Sequence, residues 1–394
     1  MSAAPISGRI AELLSDQREL FSFLNSSPIM EKRGGEGISD FIFGNPHDMP
    51  LPEFSEALQK AAVPQSKDWF AYKMSEPESL AVVSESLSRR YQVKFSDEDI
   101  LMTNGAFAGL AVSLKAIVDD GDEVIYPIPP WFFYHPLIKS TGGVPVGVGV
   151  DQTSFDLDLE AIERGITGKT RAIIVNSPNN PTGKIYPNET LQALSRLLAD
   201  ASEKNGRTIY LLSDDAYCNI VYDGIEYRSP SLFYPNSILI YTYGKTLLTP
   251  GQRIGYLALN PDMEDKALVG AALYMAQTVT GWAFPNADLQ YALAAIETLS
   301  IDVAHLQERR DLMVGRLGEI GYQLHKPDGT FYLMVRSPMP DDEEFCYRLA
   351  KHGILVLPGA LLDQPGYFRI SLTANDEMIE RSFSGFGSAL ASFG

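Results

Sequence analysis

Two hydrophobic rhythms alternate through the middle of the chain. Positions 123–126, 171–176, 208–213 and 238–242 are short aliphatic runs closed by polar or turn residues, the pattern of buried strands. Between them lie helix-length stretches. In 188–204, Leu191, Leu194, Leu197 and Leu198 recur at helical spacing, and Asn205-Gly206 is a C-cap signal. Strand–helix–strand alternation predicts an α/β unit with a mostly parallel sheet flanked by helices. The rhythm then changes. Positions 286–320 read as one long helical pattern, followed by strand-like 331–335, 354–357 and 368–372 and a last helix, which predicts a smaller α+β domain. The first 45 residues read as a helix and an extended segment ending at Gly44-Asn45-Pro46. The expected division is 1–48 as an N-terminal segment packed on the small domain and the substrate site, 49–284 as the large domain, and 285–394 as the small one.

Composition narrows the chemistry. The 394 residues are 45% hydrophobic, enough for a large core, and 21% charged, too ordinary for wholesale disorder. The formal charge of −18, with no basic run, argues against a nucleic-acid partner. Cys218 and Cys346 cannot build a disulfide framework or a four-thiolate zinc site, and the five histidines include no HExxH spacing, so no metal is expected. The N-terminus lacks a cationic start followed by an apolar run, and no stretch nears 18 apolar residues, so no membrane association and a cytoplasmic setting are expected.

In open α/β sheets ligands bind at the carboxyl ends of the strands. The residues that follow the expected strands are Asn176 to Gly183, with Asn180-Pro181-Thr182-Gly183; then Asp214-Asp215-Ala216-Tyr217; then Tyr243-Gly244-Lys245-Thr246, leading to Gly251-Gln252-Arg253-Ile254-Gly255-Tyr256. An asparagine, an aspartate, a tyrosine, a lysine and an arginine therefore converge on one sheet edge. A desolvated lysine amine attacks aldehydes, an aspartate can pair with a pyridine nitrogen, an amide and a phenol can bond a phenolic oxygen, and an arginine can hold a phosphate.

Those motifs resemble the class I/II aminotransferases, fold type I pyridoxal-phosphate enzymes, from about Gly44 to Arg369. The resemblance implies pyridoxal 5'-phosphate as cofactor, carried by Lys245 as a Schiff base, with Asp214 on the ring nitrogen, Asn180 and Tyr217 on the phenolic oxygen, and Arg253 on the phosphate. Arg369, in Arg369-Ile370-Ser371, would take the substrate α-carboxylate. Softer matches are Gly105, Ala106 and Phe107 at a helix start for the phosphate, Trp131 stacking on the ring, Gly44 in the substrate loop, and Tyr72 reaching a neighbouring subunit's cofactor across a homodimer with shared active sites. Gly244 stands where the family usually has serine, and Thr242 can offer the phosphate a hydroxyl instead. The segment after Tyr72 lacks the family's usual Gly and Leu-Arg.

Each of these residues also has a plainer structural reading. Lys245 alone would be a surface lysine. Gly244-Lys245-Thr246 is not a phosphate loop, because Leu239 stands where that motif needs glycine. Asp215 is the less favoured of two adjacent carboxylates. Cys218 reads as a small buried residue, Phe132 and Phe133 as core, and Arg309-Arg310 as a solvated helix face. The expected activity is amino transfer between an L-amino acid and a 2-oxo acid, with Lys245, Asp214 and Tyr217 catalytic and Arg369, Gly44, Asn180 and Trp131 on the substrate. The aromatic segments 131–134, Tyr243 and 282–284, with no obvious second arginine, favour a neutral or aromatic side chain. The alternatives are a β-lyase, a decarboxylase or an oxidative enzyme on the same scaffold, and more distantly a non-catalytic cofactor-binding regulator.

Overall fold

The computed structural model describes residues 5–392. Twelve strands run in chain order: β1 (Ser39–Asp40), β2 (Ile100–Thr103), β3 (Glu123–Ile128), β4 (Val144–Gly149), β5 (Thr170–Asn176), β6 (Tyr210–Asp214), β7 (Ser237–Thr242), β8 (Gly255–Leu259), β9 (Tyr332–Arg336), β10 (Ile354–Leu355), β11 (Leu357–Pro358) and β12 (Tyr367–Ser371). Seven of them form one sheet in the order β2-β8-β7-β6-β5-β3-β4. β8 alone runs antiparallel to its neighbours.

Adjacent residues of the central strands feed opposite faces of this sheet. Val124, Ile174 and Leu212 pack with the helices Gly105–Ile117 and Lys266–Val279 on one side. Ile125, Ile173 and Leu211 pack with Leu191, Leu194 and Leu198 of the helix Asn188–Asn205 on the other. Both faces are dry, which is why these strands read as unbroken apolar runs rather than alternating ones. Each such aliphatic side chain contributes about 1.5–3 kcal/mol on burial. The 188–205 helix stops at Gly206, whose φ of +60° a residue with a Cβ adopts only at a cost.

The small sheet is β11-β12-β9, all antiparallel, over a core that also takes Phe23, Ile29, Phe41 and Ile42 from the N-terminal segment. The run expected as one strand at 354–357 is divided. Its first half pairs in parallel with β1, and its second half pairs with β12. The N-terminal segment holds three helices, Gly8–Asp16, Arg18–Ser26 and Pro28–Glu31, where one was expected. Ser27 caps the third, and Pro28 sits at its first turn, where a missing N–H costs nothing.

Two further expectations are corrected. The pattern at 286–320 is not continuous: it forms Ala287–Tyr291, Leu293–Ile296 and Val303–Ile320, and Asp302 starts the last by accepting the His305 N–H. Arg309 and Arg310 are buried rather than solvated. Arg309 bonds Asp48 and Asp376, tying the N-terminal loop to the last helix, and Arg310 bonds Asp223 and the Pro327 carbonyl over the Tyr222 ring. Periodicity cannot show this, because the carboxylates that neutralise them come from remote segments. No helix among the described residues is long and apolar enough to cross a membrane.

Candidate active site

A cavity of about 350 Å³ opens at the carboxyl ends of β5, β6 and β7, between the large sheet and the small one. Parallel pairing sets it up. Asn176 lies level with Asp214, and Asp214 with Ile240, so the residues that end successive strands arrive side by side. Thr242 ends β7 and caps the one-turn helix Tyr243–Thr246, which carries Lys245 into the cavity. Lys245 Nζ lies 5.6 Å from the ring centres of Tyr217 and Phe331, with no carboxylate in ion-pair range among the described residues.

Asp214 is buried at the cavity wall. Burial pushes its carboxyl above the usual carboxylate range, against the pull of the Tyr134 hydroxyl, the Ala216 N–H and the charge of Lys245. Tyr134 donates to Asp214 Oδ2 at 2.6 Å, and the Ala216 N–H donates to Oδ1 at 3.2 Å. Asn176 locks the neighbouring loop. Its Nδ2 donates to the Asp214 carbonyl at 2.7 Å, and its Oδ1 accepts the Asn180 N–H at 2.6 Å. Asn180 in turn accepts from Arg369 Nη1 at 3.0 Å, while Nη2 donates to the Ile42 carbonyl at 3.0 Å. Arg369 Nε is buried without a partner among the described residues. Burial lowers the guanidinium's pKa, with Tyr332 and Tyr217 working the other way.

Gly105 opens the helix Gly105–Ile117 directly after β2, with φ +81°. A Cβ there would stand 2.8 Å from Arg253 Nη2 and 3.2 Å from Thr242 Oγ1, so these three positions enclose one small space. Arg253 donates to the Pro250 carbonyl and meets no carboxylate among the described residues. Helix N–H groups, a hydroxyl and an unpaired guanidinium form a cradle for a phosphate dianion.

The donor set fits pyridoxal phosphate. The cradle suits its phosphate, the buried Asp214 suits a protonated ring nitrogen, and Lys245 and Arg369 line the same cavity. The orphaned Arg369 Nε is a donor awaiting an acceptor that the protein itself does not provide.

Of the residues expected at the site, Gly44, Ala106, Phe107, Trp131, Asn180, Asp214, Tyr217, Thr242, Lys245, Arg253 and Arg369 all line this one cavity, and Gly105 backs it. Tyr72 does not. It is 87% exposed and rests on Phe284, 4.8 Å between ring centres. Phe133 lines the cavity rather than the core, and Phe132 lines it while also packing against the core of the small domain, because the chain turns directly after β3. Tyr243 is buried behind the site, bonded to Glu297, and Trp282 and Phe284 lie on the surface, so these three do not line it. No motif in the sequence points to Tyr332; Asn176 stands out only as the start of a strand-end run and Tyr134 only as part of the aromatic segment 131–134, neither with the partner it has here. Tyr134 sits three residues after Trp131, at the start of the next helix, and that spacing was its one available signal.

The family model for aminotransferase class I and II matches residues 37–384. The chain is 31% identical to a probable aspartate/prephenate aminotransferase of Thermus aquaticus, over 93% of this chain and 95% of that one. It is 32% identical to an aspartate aminotransferase of Thermotoga maritima, over 95% and 96%. Among solved structures, an amino transferase from Eubacterium rectale superposes with a TM-score of 0.91 at 30% identity, covering 99% of this chain and all of the other.

Proposed function

Because the chain belongs to the aminotransferase class I and II family, a group of pyridoxal-phosphate enzymes that act on amino acids and 2-oxo acids, we propose a division of labour among its own residues. The observation that carries it is the convergence of Lys245, Asp214, Asn180, Tyr217, Arg253 and Arg369 on one cavity. Bound pyridoxal phosphate supplies an electron-poor ring that takes up the electron pair left on the substrate when its α-proton departs. Arg253, Thr242 Oγ1 and the helix start at Gly105–Phe107 hold the phosphate. Asp214 Oδ keeps a proton on the ring nitrogen; a buried carboxylate this poorly solvated gains most from a cationic partner. Asn180 and Tyr217 bond the ring oxygen, and Trp131 covers a ring face. Arg369 grips the substrate carboxylate, with Gly44 closing that end of the cavity. Lys245 would carry the cofactor through Nζ and, once the substrate's amine has taken its place there and freed the lysine amine, would be the base that takes the α-proton at Nζ.

The substrate proposed is an amino acid with a neutral or aromatic side chain. Phe107, Trp131 and Phe133 meet edge to face or tilted, with centres 4.9–5.3 Å apart, and Phe132, Leu24 and Leu110 extend that apolar wall. The cavity's cations are Lys245, Arg253 and Arg369, each already given a task, so a side-chain carboxylate would find no fourth. Relatives include an aspartate/prephenate and an aspartate aminotransferase, so the donor panel below sets aspartate against the neutral and aromatic donors proposed.

A homodimer is proposed from the surface beside the cavity. The helix Lys266–Val279 buries Val269, Leu273 and Ala276 and turns Leu268, Met275 and Val279 outward; Phe70, Tyr72, Trp282 and Phe284 are exposed as well. Apolar exposure on this scale suits burial by a second copy, which would bring Tyr72 to a neighbouring site. The domain division 1–48, 49–284 and 285–394 is retained as a proposal, supported by the separation of the seven-stranded sheet from the three-stranded one.

The test pairs a variant with a donor panel. Lys245→Ala is expected to abolish amino transfer together with the visible absorbance of the bound cofactor; full activity in that variant overturns the assignment. With the intact enzyme and a common 2-oxo acid acceptor, kcat/KM for phenylalanine or leucine is expected to exceed that for aspartate by about tenfold or more, the ~1.4 kcal/mol worth of one pocket contact. The reverse order overturns the substrate reading alone.

A further inference from the structure

Tyr332 is placed where no reading of the strand-end motifs points. It lies on β9, across from Ser371 of β12, and Arg369 is two residues along β12. In an antiparallel pair those positions are diagonal neighbours on the same face. The register therefore stacks the phenol against the guanidinium: Arg369 Cζ stands 4.0 Å from the Tyr332 ring centre. Among the described residues, the hydrogen bonds that hold Arg369 are otherwise its two Nη bonds, to Asn180 and to the Ile42 carbonyl. Two in-plane bonds leave the fork free to rock about the line joining them. A ring against its flat face removes that motion and adds cation–π attraction in a site without water competition.

The hydroxyl of the same residue reaches the other half of the site. Its ring meets the Tyr217 ring edge to face, with centres 6.0 Å apart, and its oxygen lies against the Gly44 backbone. Burial opposes ionisation of Tyr332, but Lys245, Arg369, Tyr217 and Gly44 together bring its phenol below the usual range, while burial and Tyr332 push Tyr217 well above it. Gly44 has no room for a side chain here, because a Cβ would stand 2.6 Å from the Tyr332 oxygen and 2.5 Å from the Phe331 ring. The N-terminal loop is thus pressed on this one phenol.

We propose that Tyr332 is a positioning residue for the carboxylate subsite: its ring is the platform that holds the Arg369 fork in plane for an incoming carboxylate, and its hydroxyl ties that platform to Tyr217 and to the Gly44 backbone. The proposal rests on the reading of Arg369 as the carboxylate site. It gives the ring and the hydroxyl different jobs, and two substitutions separate them. Tyr332→Phe keeps the platform and removes the tie; Tyr332→Leu removes both.

The probe is 3-phenylpropanoate, a carboxylate with no amine to react, titrated into cofactor-loaded enzyme and followed by protein fluorescence. Tyr332→Phe is expected to bind it within about twofold of the unaltered enzyme, and Tyr332→Leu about five- to thirtyfold more weakly, the scale of one desolvated cation–π contact. In both variants the pH at which the cofactor's visible band changes is expected to move upward, since Tyr217 loses its anchor and bonds the ring oxygen less well. Arg369→Gln is the control. If it weakens binding while Tyr332→Leu binds normally, the proposal is overturned and the Arg369 reading stands. If Arg369→Gln also binds normally, the carboxylate reading itself falls and takes the proposal with it. Equal weakening in Tyr332→Phe and Tyr332→Leu overturns the platform. If Tyr332→Leu does not fold, an unmoved band in Tyr332→Phe overturns the tie.

Discussion

The Tyr134 hydroxyl donates a 2.6 Å hydrogen bond to Oδ2 of Asp214, and both groups are buried. A carboxylate with so little solvent depends on each donor it has, and hydrogen bonds to charged groups contribute about 1.5–3 kcal/mol. Tyr134→Phe removes one donor and leaves the ring in place. It is expected to raise the Asp214 pKa further and to weaken cofactor retention about ten- to a hundredfold, read by dialysis followed by cofactor titration. Retention equal to that of the unaltered protein would show that Tyr134 merely packs there.

Gly105 leads to a second expectation. At φ +81° a Cβ is strained, and here it would meet Arg253 Nη2 at 2.8 Å. The guanidinium is the yielding partner, being the end of a long side chain. Gly105→Ala is therefore expected to displace Arg253 more than to damage the fold. Cofactor affinity should drop by about tenfold or more, with a stability loss on the order of 1 kcal/mol from strain. Cofactor titration and a thermal melt of the cofactor-free protein separate the two effects. Unchanged affinity with the melt shifted alone would show that Gly105 and Arg253 do not hold the phosphate.

Asp215 makes stability depend on pH. Its side chain is wholly buried, and burial raises its pKa to about 7, with Ser213, Ser229 and Tyr227 pulling it down and Asp214 adding to the rise. The folded pKa lies above the unfolded one, so Asp215 costs nothing below about pH 4, where both states are protonated. Above that the unfolded chain ionises first, and stability falls by roughly 1.4 kcal/mol per pH unit until about pH 7. Asp215→Asn removes that slope. Denaturant unfolding at pH 5 and pH 8 should show a smaller loss in the variant than in the unaltered protein. Parallel losses would place the Asp215 pKa near its ordinary value.

The strand ends and their chemistry were legible because local sequence carries them. A parallel strand buried on both faces must be a short apolar run, and the residue that ends it must lie at the sheet's carboxyl edge. Asn180, Asp214, Lys245 and Arg253 could therefore be placed together from spacing alone. The break at 297–302 was less legible, because helical periodicity continues across it and the Asp302 cap shows only once its oxygen accepts the His305 N–H.

What the linear chain determined by itself is the α/β alternation, the order of the strand-end motifs and, through them, the family's cofactor chemistry. Tertiary structure decided everything that depends on two remote segments meeting. Register between β9 and β12 put the Tyr332 ring against Arg369. The turn after β3 put Phe133 on the cavity wall, set Phe132 between that wall and the small-domain core, and brought Tyr134 to Asp214. Asp48, Asp223 and Asp376, far away in sequence, buried a pair of arginines that looked solvated. The physical reason is common to all of these. Periodicity reports which face of an element is dry, whereas the partner of a polar group is set by how whole elements pack, and no window along the chain contains both halves of that contact.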